Sequence, residues 1–198
     1  MNFFKKILTS AVLCLGIGCA AELKVESNDS APEPSPITWS ECSQDIGAHP
    51  CNFTLEDQNA LMWTLYENYG SIIVLDFSTE WCGYCQVGAT TIQQIQDEYA
   101  DEDVIIVTVL VEDRYGNPAG EQLVQAWASH FEITAPVLAG SRDLLSEDTT
   151  QGWPVTGYPS YFFIDREMIL RYQQRGYGDE ALRATLDMML DNDIELEA

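Results

Sequence analysis

Two cysteines three residues apart, in the run Trp81-Cys82-Gly83-Tyr84-Cys85, are the side chains of this chain best suited to chemistry. At the start of a helix both sulfurs fall on one face, within disulfide reach. The unpaired N–H groups and positive dipole end of such a helix favour a thiolate on the first sulfur. Cys82 is therefore expected to be the attacking thiol, and Cys85 the resolving thiol that breaks the mixed disulfide. Two plainer readings compete. Half a zinc site needs two more ligands at matched spacing, and the chain offers only Cys42, Cys51, His49 and His130. An inert bridge does not call for a strand running straight into the pair. No metal and no cofactor are expected, and both histidines read as surface or packing residues.

Strands alternating with helices must position the pair. Residues 53–55 and 61–65, separated by the Asp57-Gln58-Asn59 turn signal, predict a β-hairpin. Residues 71–78 (SIIVLDFS) and 104–111 (VIIVTVLV) read as strands buried on both faces. Between them, Val87, Ile92, Ile95 and Tyr99 predict an amphipathic helix over residues 85–100. A second helix is expected over 118–132, with Pro118 in its first turn and Leu123, Val124, Trp127 and Phe131 on one side. Strands follow at 136–139 and 160–164, residues 168–174 pair back onto the latter, and a last helix covers 179–190 with a stripe of Leu182, Leu186 and Met189. The pattern is that of an α/β domain around a mixed sheet.

The run from Val74 to Cys85 (VLDFSTEWCGYC) resembles the active-site segment of the thioredoxin superfamily, and Thr156-Gly157-Tyr158-Pro159-Ser160 with Tyr161 to Asp165 is similar to its cis-proline loop and next strand. The hairpin at CNFTLEDQN, the inserted helix and the strand at residues 135–138 narrow the resemblance to TlpA-like and ResA-like thiol-disulfide oxidoreductases. It implies a thioredoxin-like α/β fold: a mixed central sheet flanked by helices, with an N-terminal β-hairpin and an inserted helix. It also implies roles. Pro159 is expected to follow a cis peptide after Tyr158 and to lie beside Cys82, where a substrate strand can pair; the alternative is a plain turn proline. Asp76, six residues before Cys82 in an apolar strand, is expected to lie buried beneath the pair and to take the proton of Cys85 during resolution. Its alternative is a strand-end carboxylate bonded to backbone. Trp81, Tyr84, Tyr158 and Pro159 would contact substrate.

The implied activity is disulfide exchange with cysteine-containing exported proteins, fed by an upstream thiol electron donor. Gly83-Tyr84 matches the dipeptide of DsbC-type isomerases, but no dimerisation domain fits between the linker and Phe53. Gln86 stands where thioredoxins usually carry a basic residue, and Thr90 replaces the proline that kinks their first helix. With Glu80 near and no lysine in the domain, the Cys82 pKa is expected to be lowered less than in strong oxidants, which favours a reductase. Alternatives are an isomerase, a peroxidase-like protein and a non-catalytic binding module; the Pro-x-x-x-Thr-x-x pattern before a peroxidatic cysteine is absent.

Composition narrows the setting. The chain has 198 residues, with 9 Lys+Arg against 32 Asp+Glu and a net charge of -23. That excludes a nucleic-acid surface and disfavours anionic lipid, because both require clustered cations. Residues 1–18, with Lys5, Lys6 and the apolar run Ile7 to Ile17, read as a secretory signal. Cys19 ends a lipobox-like stretch and is the expected lipidation site and only membrane contact; cleavage after Ala20 or Ala21 is the alternative. Residues 19–38 form a Pro-rich linker, 39–191 the thioredoxin-like domain and 192–198 an acidic tail. An extracytoplasmic, periplasmic location follows. Cys42 and Cys51 are expected to form a structural disulfide, with a second redox pair as the alternative.

Overall fold

In a computed structural model of the protein, the structure describes residues 36–196, with side chains described as far as Asp191. The expectations for the signal segment, for Cys19 and for the linker up to Ser35 lie outside the described residues, as do the tail side chains beyond Asp191. The elements in chain order are β1 (Thr54–Glu56), β2 (Met62–Thr64), β3 (Ile72–Ser78), α1 (Gly83–Glu98), β4 (Val104–Leu110), α2 (Glu121–His130), β5 (Val137–Ala139), β6 (Ser160–Ile164), β7 (Leu170–Arg175) and α3 (Asp179–Leu196). Among the described residues no helix is long and apolar enough to cross a membrane.

The fold is thioredoxin-like. Five strands form one mixed sheet in the order β5-β4-β3-β6-β7, and β1 and β2 form a separate hairpin. β4 runs parallel to β3 and β5, so α1 serves as the crossover of a β-α-β unit. β6 returns antiparallel to β3 and pairs β7 in the same sense. β3, held on both edges, buries all seven of its residues.

Alternation along the strands divides the core in two. Ile72, Val74, Ile106, Tyr161 and Phe163 face α1, whose Ala89, Ile92 and Ile95 pack there with Trp127 of α2 and Leu182, Leu186 and Met189 of α3. Ile73, Leu75, Phe77, Val107, Phe162 and Ile164 face the other way, onto Leu65, Trp153 and Met168, with Phe53, Trp63 and Trp39 partly buried outside them. Helices thus contribute to one cluster, and the hairpin and connecting segments close the other. Cys42 and Cys51 are bonded, with a Cα–Cα distance of 4.8 Å. Trp39 stacks on His49 at 3.7 Å, and His49 Nδ1 lies 2.8 Å from the Met168 carbonyl, so this histidine has a packing role.

Several boundaries differ from expectation. α2 starts at Glu121, and Pro118 lies outside it in a bridge with Glu112, because the segment after β4 pairs with itself before the helix begins. Val87 is 53% exposed, so the buried stripe of α1 is Cys85, Ala89, Ile92 and Ile95 instead. Met168 sits at positive φ (58°) in the β6–β7 turn, which delays β7 to Leu170. α3 continues to Leu196. Ile92 is 1% exposed at the centre of the α1 seat. Ile92→Ala is expected to destabilise the domain by about 2–5 kcal/mol, measured as a lower urea midpoint with an unchanged slope.

Candidate active site

β3 ends at Ser78, and a short connection through Thr79, Glu80 and Trp81 brings the chain into α1. Cys82 is the N-cap residue, with extended backbone (φ −79°, ψ 109°), and its sulfur accepts the Cys85 N–H at 3.1 Å. Sulfur thereby fills the place that a Ser or Asp oxygen takes in an ordinary cap, satisfying one orphan N–H of the first turn. Cys82 and Cys85 are joined as a disulfide, with Cα atoms 5.2 Å apart. Cys82 is 6% exposed and Cys85 only 1%, so Cys82 is the more accessible of the two. Trp81 (51%) and Tyr84 (73%) stand exposed on either side in sequence. Among the described residues no group of three His, Cys, Asp or Glu is placed to hold a metal ion.

Asp76 lies on the α1 face of β3, between Thr108 of β4 and Tyr161 of β6 in the strand register. It is 2% exposed. Burial drives its pKa up from 3.8 to about 7, against a smaller opposing effect of the Ser78 hydroxyl, which donates to Oδ1 at 2.8 Å. Thr108 also pulls the value down slightly, although its hydroxyl falls short of a well-formed hydrogen bond. The buried Tyr161 hydroxyl has no partner among the described residues, and burial raises its pKa far above the usual range. α1 comes close here: a Cβ on Gly88 would sit 3.0 Å from the Tyr161 hydroxyl. The hydrogen bond to the Asp76 side chain comes from the Ser78 side chain.

The Tyr158–Pro159 peptide is cis. Tyr158 meets Trp81 edge to face at 5.9 Å, which brings the proline loop against the segment that precedes Cys82. Trp81 is itself anchored: its indole N–H donates to Glu112 Oε1 at 2.9 Å. Glu112 is 2% exposed, and Arg142 pairs with it at 2.5 and 2.8 Å, so a buried carboxylate is neutralised where it holds the tryptophan. Glu80 is bound by the Arg114 guanidinium, which holds its carboxyl below the usual range. Nothing local in the sequence marks Arg142, Arg114 or Tyr161 as part of this site. Glu112 alone left a signal, as a charged residue directly after an apolar strand.

A model of the AhpC/TSA family matches residues 46–173. The chain belongs to the AhpC/TSA family. A thioredoxin-like protein of Bacillus subtilis, YneN, is 21% identical over 125 residues, covering 63% of this chain and 68% of the relative. Two solved structures share the fold. One, from Chlorobium tepidum and assigned as the thiol:disulfide interchange protein DsbE, aligns with a TM-score of 0.62 and 23% identity over 74% of this chain and 98% of its own. The other, the exposed lipoprotein thioredoxin Etrx1 of Streptococcus pneumoniae, aligns with a TM-score of 0.58 and 26% identity over 70% of this chain and 99% of its own. Membership and fold place this AhpC/TSA chain in the thioredoxin superfamily, with the oxidoreductase architecture of thiol-disulfide exchange.

The raised pKa of Asp76 has a stability consequence with a definite sign. An unfolded Asp releases its proton near pH 4, whereas the folded one retains it to about pH 7. The folded state therefore binds more protons in that window, and stability falls as pH rises through it, then levels off. The full penalty is on the order of 4 kcal/mol. Asp76→Asn is expected to match wild type near pH 4 and to exceed it in urea unfolding free energy at about pH 8. Equal pH dependence in the two proteins would contradict a buried, proton-retaining Asp76.

Proposed function

We propose that this chain is an exported thiol-disulfide oxidoreductase that acts through Cys82 and Cys85, in the direction of a reductase. The observation that carries the reading is the placement of Cys82 as the cap of α1, bonded to Cys85, with the Asp76 carboxyl buried in the strand that leads into that helix. In the reduced form the Cys82 thiolate attacks a substrate disulfide. One substrate sulfur leaves as a thiolate, and the other becomes bonded to Cys82. Asp76 accepts the Cys85 proton, and the Cys85 thiolate attacks the Cys82 sulfur. The second substrate sulfur is released, the Cys82–Cys85 bond closes, and two electrons have passed from the protein to its substrate. An upstream dithiol restores the pair. No cofactor enters.

Support for cysteine-containing protein substrates comes from the groove beside the pair. Among the described residues the Tyr158 N–H and carbonyl have no backbone partner, which leaves them open to an extended substrate segment, with Trp81 and Tyr84 exposed nearby. The reductase direction rests on the charges near Cys82. The Arg114 guanidinium is already paired with Glu80, and the first-turn side chain of Gln86 is neutral and donates to the Glu80 carbonyl at 2.8 Å, so neither adds a free positive charge to the helix end in stabilising a thiolate. Likeness to an interchange protein and to an exposed lipoprotein supports an extracytoplasmic site of action. Lipidation at Cys19 and a linker over residues 19–38 would tether the domain there.

In the insulin reduction assay with dithiothreitol, Cys82→Ser is expected to lose at least about 100-fold of the protein-dependent rate, and Cys85→Ala to accumulate mixed disulfides with partner proteins. Equal rates for Cys82→Ser and wild type would favour a binding module instead. Thiolate absorbance of reduced protein is expected to titrate above about pH 5; a lower value would overturn the reductase direction.

A further inference from the structure

The described residues contain six arginines, and five of them are engaged. Arg114, Arg142, Arg171 and Arg183 pair with Glu80, Glu112, Asp165 and Asp179, and Arg166 donates to the carbonyls of Gly70 and Glu102. Arg175, at the end of β7, is exposed, and its side chain has neither hydrogen bond nor ion pair among the described residues. Its position is nevertheless defined. Arg175 lies opposite Ser160 in the β6–β7 register, and the next N–H, that of Gly176, donates to the Pro159 carbonyl at 2.8 Å. The guanidinium rests on Gly157, where a Cβ would come within 2.7 Å of both Nε and Nη2. Glycine at 157 therefore admits a cation to the loop that carries the cis-proline.

We infer that Arg175 is a specificity-determining residue that receives a carboxylate of the substrate, selecting cysteines flanked by Asp or Glu. The inference rests on the reading of Cys82 and Cys85 as the working pair and of the loop at 157–159 as their substrate groove. A guanidinium fork matches a carboxylate in two parallel hydrogen bonds, and an unpaired one is free to form them. The surrounding charge sharpens the effect. With 32 acidic residues against 9 basic ones, the protein repels an acidic segment almost everywhere else, so attraction at this one point governs register more than overall affinity. The competing role is protection of the β7 edge against strand pairing, which needs a charge but no carboxylate partner.

The test uses short peptides with one cysteine flanked by glutamate or by glutamine, each joined in a disulfide to thionitrobenzoate. Attack of the reduced protein on the peptide sulfur breaks that disulfide, bonds the peptide to Cys82 and releases coloured thionitrobenzoate as the leaving thiolate. At low ionic strength the ratio of glutamate to glutamine rates is expected to be about 3- to 5-fold higher for wild type than for Arg175→Gln, with partial recovery in Arg175→Lys and loss of the difference near 1 M salt. An equal ratio in wild type and Arg175→Gln, with release still dependent on Cys82, would overturn the role of Arg175 alone. Release unchanged in Cys82→Ser would overturn the working pair and this inference with it.

Discussion

A carboxyl group enclosed within the central strand is the constraint around which the site is organised. Ionising Asp76 at 2% exposure is costly, and a single well-formed side-chain hydrogen bond, from Ser78, offsets only part of the penalty. A strand at the edge of a sheet would relieve such a group by fraying or hydration. β3 cannot, because β4 and β6 hold it on both sides over most of its length. Asp76 is therefore confined to the face covered by α1, and the connection of a few residues from Ser78 to Cys82 requires that helix to start just beyond it. Buried carboxyl and sulfur are placed by one stretch of chain. The close approach of α1 follows as well: at Gly88 a side chain would press against the Tyr161 hydroxyl and the Tyr177 ring.

Charge is distributed so that the overall acidity bears little on the sulfur. Glu80, next to Trp81 in the chain, and Glu112, which accepts the Trp81 indole N–H, are each paired with an arginine from a later segment. The N-terminal end of α1 favours negative charge at Cys82, a contribution that falls off within one turn. Glu112 also shows how a buried ion pair serves geometry: it fixes the indole of Trp81, which in turn meets Tyr158 beside the cis peptide. Pairing Glu80 and Glu112 with arginines at 114 and 142 couples the segments after β4 and β5 to the loop before Cys82, although neither arginine is near Cys82 in sequence.

Much of this is legible in the sequence. The alternation of apolar runs with amphipathic stretches placed β3, β4, α1 and the start of α3 to within a few residues, because burial on both faces and a 3.6-residue stripe leave clear marks. Cys82, Cys85 and Asp76 stood out because polar or reactive side chains in apolar surroundings are rare. Partners set by tertiary pairing were not visible. Thr108 and Tyr161 flank Asp76 only because β3 pairs β4 and β6 in one register, and nothing local to either residue encodes that. Val87 misled because its neighbours fit a helical period, while the buried stripe of α1 actually passes through Cys85 and Ala89. Pro118 misled because proline suits a first helical turn and a bridged loop equally well.

Period-two alternation also separates stability from chemistry within a single strand. Phe77 points into the aromatic cluster with Trp153 and Phe162, at ring separations of 5.4 and 5.6 Å, on the face closed by the hairpin. Asp76, its neighbour, points toward α1 and the disulfide. A slip of one residue in β3 would exchange these environments, burying a carboxyl among aromatic rings and placing a phenyl group under the sulfurs. The β3–β6 ladder avoids that slip because Leu75 and Phe162, opposite one another, belong to one cluster, and Val74 and Phe163 to the other. The aromatic layer far from Cys82 thus sets the register on which the active face depends.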